Sequence, residues 1–243
     1  SDVFAAGGIF GIPPRPYAPT ERQYENSAEV VELKLITDIG YFDNFDYVVG
    51  IFQKTEDQSR AQQTYVKGAN LWNYYYWGVD YIVDPNEQDF DYNVSEIISN
   101  EATYGEFTYH FTEEVDITLG VRNYNVEASA AMNSAFKLYD VFPVSDTDFN
   151  TDKGTLNKVN VSYRPSGKSQ NYYFTSSEGY RRGGVNAVPT EGPLAEDAGW
   201  VPFESDTVKN LEFGVKGALA DGTYYNVSYF LVDWDNPQLN TST

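Results

Sequence analysis

An alternation of apolar and polar residues with period two recurs along this chain and limits what it can fold into. In residues 208–219 (VKNLEFGVKGAL), Leu211, Phe213 and Val215 share one parity, and Glu212, Gly214 and Lys216 share the other. Residues 223–234 (TYYNVSYFLVDW) set Tyr225, Val227, Tyr229 and Leu231 against Asn226 and Ser228. Residues 116–124 (DITLGVRNY) set Ile117, Leu119 and Val121 against Thr118, Gly120 and Arg122. In residues 105–112, Phe107, Tyr109 and Phe111 oppose Glu106, Thr108 and His110. In residues 157–164, Val159, Val161 and Tyr163 oppose Asn160, Ser162 and Arg164. In residues 30–37, Val31, Leu33 and Leu35 oppose Glu32 and Lys34. Successive side chains of a strand point to opposite faces, so each run is a strand with one apolar and one polar or small face. The shorter runs YVVGIF and NYYFTS bring the number to about eight strands of about 8–12 residues, the length a tilted membrane-spanning strand needs. No stretch predicts a convincing helix, and residues 128–140 (ASAAMNSAFKLYD) are expected to be loop with one helical turn.

The connections alternate in length. GYFDNFD, TEEVD, PSGKS and ADGT are short; the stretches at about 57–100, 127–155 and 178–205 are long. Gly, Asp and Pro in the short ones are the residues tight hairpins demand. An antiparallel barrel gives this rhythm when one rim carries turns and the other carries loops.

Composition fits the same architecture. Aromatic residues make up 16% of the chain, 21 of them Tyr, yet the mean hydropathy is -0.49. A transmembrane barrel combines these properties because only alternate strand residues must be apolar. No window approaches a membrane-spanning helix. The 16 Lys+Arg against 36 Asp+Glu argue against a nucleic-acid partner. There is no Cys, and His110 is the single histidine, which excludes thiolate sites and His clusters. The opening SDVFAAGG has no basic segment followed by an apolar core, so a mature chain or an interior piece is expected rather than a signal peptide. A soluble β-sandwich also alternates, with its apolar face as the core.

Four segments carry a family resemblance: residues 30–56, 101–125, 157–186 and 203–238. Their strand–turn–strand phrasing, with SSEGYRRGGVN at 176–186 and the hairpin through ADGT, resembles the barrel region of TonB-dependent receptors of Gram-negative outer membranes. The resemblance implies an all-β, antiparallel transmembrane barrel segment with short periplasmic turns and long extracellular loops. It also implies active uptake of a scarce nutrient, a ferric siderophore first, with cobalamin or an oligosaccharide behind it. The TonB–ExbB–ExbD complex would act through a plug domain, and outer-membrane lipid would surround the wall. The family's barrel has 22 strands around a plugged lumen, so residues 1–243 are expected to be a partial barrel domain without its plug and C-terminal strands. A passive porin-like barrel and a soluble carbohydrate-binding β-sandwich are the other readings.

Within that frame, Arg181 and Arg182 face the lumen to meet plug carboxylates or an anionic ligand, or else form rim salt bridges that fold their loop. Trp72, Tyr74, Tyr75, Tyr76 and Trp77 stack on a flat ligand, an aryl siderophore or a sugar ring, or else belong to an aromatic rim. Asp84, Glu87, Asp89 and Asp91 carry oxygen ligands for Ca²⁺, but their spacing departs from the EF-hand pattern and favours a solvated acidic face. Glu106, Arg122, Arg164, Glu212 and Lys216 are expected to form cross-strand ion pairs on the inner wall. No nucleophile elbow or second histidine supports an enzyme, and no catalytic residue, metal site or cofactor is assigned.

Overall fold

A computed structural model describes residues 16–37, 44–78, 84–137, 141–192 and 195–239, with 141–145 as backbone only. Eight strands form one antiparallel sheet. They are β1 (Thr20–Ile36), β2 (Phe45–Tyr65), β3 (Gln88–His110), β4 (Val115–Phe136), β5 (Val141–Tyr163), β6 (Asn171–Arg181), β9 (Asp206–Ala218) and β10 (Tyr224–Asp235). Each pairs with the next in that order, a simple meander. The two-residue strands β7 (Gly184–Val185) and β8 (Pro202–Phe203) pair separately, between β6 and β9. β1 and β10 are open edges, so the sheet is a wall rather than a closed barrel among the described residues.

The strands are longer than their apolar alternation. β3 and β5 have 23 residues each, β4 has 22 and β2 has 21. At about 3.3 Å per residue such strands run about twice the length needed to cross a bilayer. Residues 128–136, expected as loop, are the upper part of β4, and the long connection expected at 127–155 reduces to residues 137–140. Backbone pairing holds these extensions together; no lipid face is required of them, so their side chains do not repeat the lower pattern.

In the lower sheet the odd positions of β3 and β4 carry Phe107, Tyr109, Leu119 and Val121, all exposed. With Leu33 and Leu35 on β1 and Phe213 on β9 they form one apolar band. A sandwich would have buried this face; Leu33 is 68% and Phe213 53% exposed. Above the band the same parity turns to Gln53, Glu101, Asn123 and Asn125. From Thr103 to Phe111 the band takes about nine residues of strand, which at a tilt near 40° gives about 23 Å, the height of a lipid-facing belt.

The short connections are tight. Gly167 and Gly222 have φ of 71° and 86°, the left-handed region that favours glycine, in the PSGKS and ADGT turns. Asp221 accepts a hydrogen bond from the Thr223 amide (2.9 Å), and Glu114 accepts one from Ser166 (2.7 Å), tying neighbouring turns together. The connection expected at GYFDNFD lies largely outside the described residues.

Candidate functional site

The inner face of the wall is polar, and its charges are mostly committed. Lys158 donates to Glu106 across the sheet (2.8 Å), and Arg164 pairs with Asp116. His110 bridges Asp116 (2.7 Å) and Asp46 (3.0 Å). The expected ion pairs are therefore present for Glu106 and Arg164. They are absent for Arg122, Glu212 and Lys216 among the described residues, and aromatic rings take their place. Arg122 stacks over Phe52 (5.2 Å) and Tyr104 (5.9 Å), and Lys216 lies over Tyr173 (5.7 Å). Tyr104 donates to Glu32 and Tyr173 donates to Glu212, both at 2.7 Å. Each of these tyrosines lies across a glycine of the neighbouring strand: Tyr104 on Gly50 and Tyr173 on Gly214, with Tyr124 on Gly154 as a third.

The aromatic run is a helix, which the sequence reading lacked. α1 (Ala69–Trp77) sits at the far end of the β2–β3 hairpin, opposite the short-turn rim. Glycines close both its ends: Gly68 (φ 91°) precedes it and Gly78 (φ 63°) ends it, the Gly78 amide donating to Tyr74. Glu87 holds the start. Its Oε2 accepts from the Gly68 amide (2.8 Å) and its Oε1 from the Asn70 amide (3.1 Å). A carboxylate here satisfies two free amides and complements the helix dipole. Glu87 itself has φ 58°, in the left-handed region. Trp72 and Tyr76 pack together (4.4 Å between centroids), and Tyr75 meets Tyr76 edge-on (5.0 Å). Leu71, Tyr74, Tyr75, Tyr76 and Trp77 are exposed, Trp77 by 75%.

The neighbouring acids have separate tasks. Asp84 accepts from the Asn86 amide (2.7 Å) and lies 3.8 Å from Lys137, while Asp91 accepts from Asn93 (3.0 Å). Burial raises the Asp89 pKa above its ordinary value. Among the described residues no group of three or more such side chains is placed to hold a metal ion.

SSEGYRRGGVN is where the wall folds inward. β6 pairs with β5 only as far as Ser177–Lys158. Beyond it, Tyr180 stacks on inner-face Tyr124 (3.8 Å) and accepts from Asn100 (3.2 Å). Arg181 faces its register partner Asp206, and both Nε (3.0 Å) and Nη2 (2.5 Å) donate to Oδ2. Asp206 is 1% exposed. Burial opposes its charge, but Arg181 and the Gln238 amide outweigh it and keep the carboxyl below its ordinary pKa. Gln238, beyond β10, accepts from Arg181 (2.8 Å) and donates through its side chain to the carbonyls of Arg182 and Glu204 (2.9 Å each). Arg181 also lies over Trp234 (5.5 Å). Arg182 makes no ion pair among the described residues. A Cβ on Gly183 would stand 2.5 Å from the Phe203 carbonyl, and one on Gly184 would stand 2.7 Å from the Phe203 ring. Only glycine lets β7 and β8 approach so closely.

The chain after this motif lies on the inner wall. Val185 and Val201 are buried with Ile98, Ala102, Tyr124, Val126, Ala128 and Ala130 of β3 and β4. Polar residues of the wall pin its backbone: Asn150 donates to the carbonyls of Gly184 (3.0 Å) and Phe203 (2.9 Å), and Tyr92 donates to that of Ala187 (2.9 Å). These pinning residues were missed by the sequence reading because they act on backbone atoms. Arg181 and the α1 aromatics are not brought together: Arg181 belongs to the β6–β9 end of the sheet, α1 to the β2–β3 hairpin.

An antiparallel meander with a lipid-width apolar band outside and a charged face inside is the wall of a transmembrane β-barrel. The chain belongs to the family described as "TonB dependent receptor-like, beta-barrel", which matches residues 6–243. It is 27% identical over 129 residues to the pesticin receptors of Yersinia enterocolitica and Yersinia pestis, covering 53% of this chain and 18% of theirs. Its fold is similar to the ferric yersiniabactin uptake receptor FyuA from Yersinia pestis (TM-score 0.72, 20% identity), over 92% of this chain and 31% of that one. It is similar also to the siderophore receptor PiuA from Acinetobacter baumannii (TM-score 0.52, 13% identity), over 87% of this chain and 32% of that one. The chain thus spans less than a third of the length of these relatives. Membership orients the wall, with short turns at the periplasmic rim and long connections at the extracellular rim.

Proposed function

We propose that this chain is part of the wall of an outer-membrane receptor that takes up a ferric siderophore by TonB-dependent active transport. The family match over residues 6–243 carries the reading. The relatives named as siderophore receptors support the substrate class. Energy would come from TonB–ExbB–ExbD through a plug domain elsewhere in the polypeptide. Capture belongs to the extracellular rim. There Tyr74, Tyr75, Tyr76 and Trp77, with half-buried Trp72 packed behind Tyr76, offer rings for a flat, aryl-bearing chelate, and the guanidinium of Arg182 offers charge to an anionic one. Arg181 contributes by holding that rim in shape. Uptake of radiolabelled ferric chelates by cells making the full-length receptor tests this. Saturable uptake that disappears without TonB is expected; uptake that is unsaturable and indifferent to TonB would mean a passive pore.

A further inference from the structure

The segment between β6 and β9 contacts the inner wall at both its ends, through residues 183–190 and 201–205, while residues 191–192 and 195–200 are mostly exposed. Five inner-face side chains from three strands, β3, β4 and β5, grip it. Besides Asn150 and Tyr92, Asp152 accepts from the Gly183 amide and the Ser205 hydroxyl (3.3 Å each), and Asp146 accepts from the Thr190 hydroxyl (2.5 Å). Tyr124 lies 3.4 Å from the Ser205 hydroxyl. The segment is also knitted to itself: Asn186 donates through its backbone amide to the Val201 carbonyl and through its side chain to the Trp200 carbonyl, and the Glu196 amide donates to Pro189. Its apolar residues Val185 and Val201 are 6% and 4% exposed, as buried as the wall residues beneath them. Beyond the strand ends, Gln238 ties its first and last turns together.

A loop that swings over a bound solute is drawn from the weakly held parts of a structure, with few buried contacts and solvated backbone bonds. This segment has the opposite character. We infer that residues 182–192 and 195–205 form a fixed shelf on the inner wall, narrowing the extracellular mouth of the lumen, and that it sets which solutes pass by size without moving during transport. Arg181, Asn150, Asp152 and Asp146 are its positioning residues. The inference rests on the transport reading for its consequence but not for its geometry.

The chain has no cysteine, so the shelf can be stapled. In a cysteine-free full-length receptor, Asp152→Cys with Ser205→Cys, and separately Asp146→Cys with Thr190→Cys, are joined by a short bifunctional thiol reagent. The staple is expected to form without ligand and to leave uptake within about two-fold of the unstapled variant, because no rate-setting motion involves the shelf. Uptake lost on stapling and restored on cleaving the linker would overturn the inference. Limited trypsinolysis of the purified receptor provides a readout independent of transport. Cleavage after Arg181 and Arg182 should be slow in the parent and about ten-fold faster in Asn150→Ala/Asp152→Ala, where the shelf opens locally. Equal rates would also overturn it. If uptake is absent in the parent while the protease difference holds, the transport reading fails and the shelf stands.

Discussion

The ring of Tyr173 lies flat across Gly214 on the adjacent strand, so close that a Cβ there would stand 2.3 Å from the ring. Tyr124 covers Gly154 in the same way, at 2.6 Å from the phenol oxygen. The glycine makes room for the ring, and the ring covers a strand position with no side chain of its own.

Alanine at either glycine must therefore displace a packed aromatic ring. Gly214→Ala and Gly154→Ala are each expected to destabilise the protein by about 1–3 kcal/mol, the usual cost of overpacking. Gly179→Ala, where a Cβ meets nothing within 4 Å, serves as the control. Urea unfolding in detergent measures all three.

The apolar band makes a depth-dependent claim. Leu119 and Asn125 share one parity on β4, but only Leu119 lies in the band. Leu119→Arg is expected to cost about 2–4 kcal/mol and Asn125→Arg about 0–1, as lipid-facing charges do at the midplane and near the interface. Equal costs in reversible folding into lipid vesicles would remove the band from the account.

The helix at the extracellular rim depends on a residue distant in sequence. Glu87→Ala removes both side-chain acceptors from the α1 amides and is expected to cost about 0.5–2 kcal/mol locally, as lost caps do. Trp72 and Tyr76 would then lose their mutual packing. Affinity for a ferric chelate should fall while global unfolding changes little, which paired binding and unfolding measurements on the full-length receptor would show.

The shelf should loosen in acid. The Thr190 hydroxyl, with the amides of Thr147 and Thr190, outweighs burial and holds the Asp146 carboxyl below its ordinary pKa. A lowered folded-state pKa stabilises the fold above the unfolded value, about 3.9, and that contribution is lost as pH falls through the folded value. Pepsin nicking within residues 182–192 should therefore rise as pH drops below about 4 in the parent. Asp146→Asn should nick at a rate that changes less across the same range, since it has no proton to bind.

The sequence made the lower wall plain and hid the upper one, for one physical reason. In β3 and β4 the apolar parity reverses partway along. Below, odd residues such as Phe107, Leu119 and Val121 face lipid. Above, even residues Val94, Ile98, Ala102, Val126, Ala128, Ala130 and Met132 are buried, all but Val94 and Met132 in one cluster with Val185 and Val201 of the shelf. A pattern that reverses looks like a strand that ends, and the alanines of residues 128–135 then suggest helix or loop. The α1 helix was hidden differently. Its Tyr and Trp residues favour strands, and its cap comes from Glu87, across the turn from its own sequence. Gly68 and Gly78 were the visible punctuation. Arg181 stood out because two arginines are rare in so acidic a chain, but its partner Asp206 becomes apparent only from the β6–β9 register.

A spin-label scan along β4 of the full-length receptor in lipid vesicles, residue by residue from Val115 to Met132, tests the account most directly. From Val115 to Val121, labels at odd positions should be open to oxygen in the bilayer and labels at even positions should not. Above Asn125 the odd positions should be open to a water-soluble relaxant, and the even ones should be protected from both. Odd positions from Val115 to Val121 that are open to the water-soluble relaxant instead would contradict a membrane wall, and with it the reading of this chain as part of a receptor barrel.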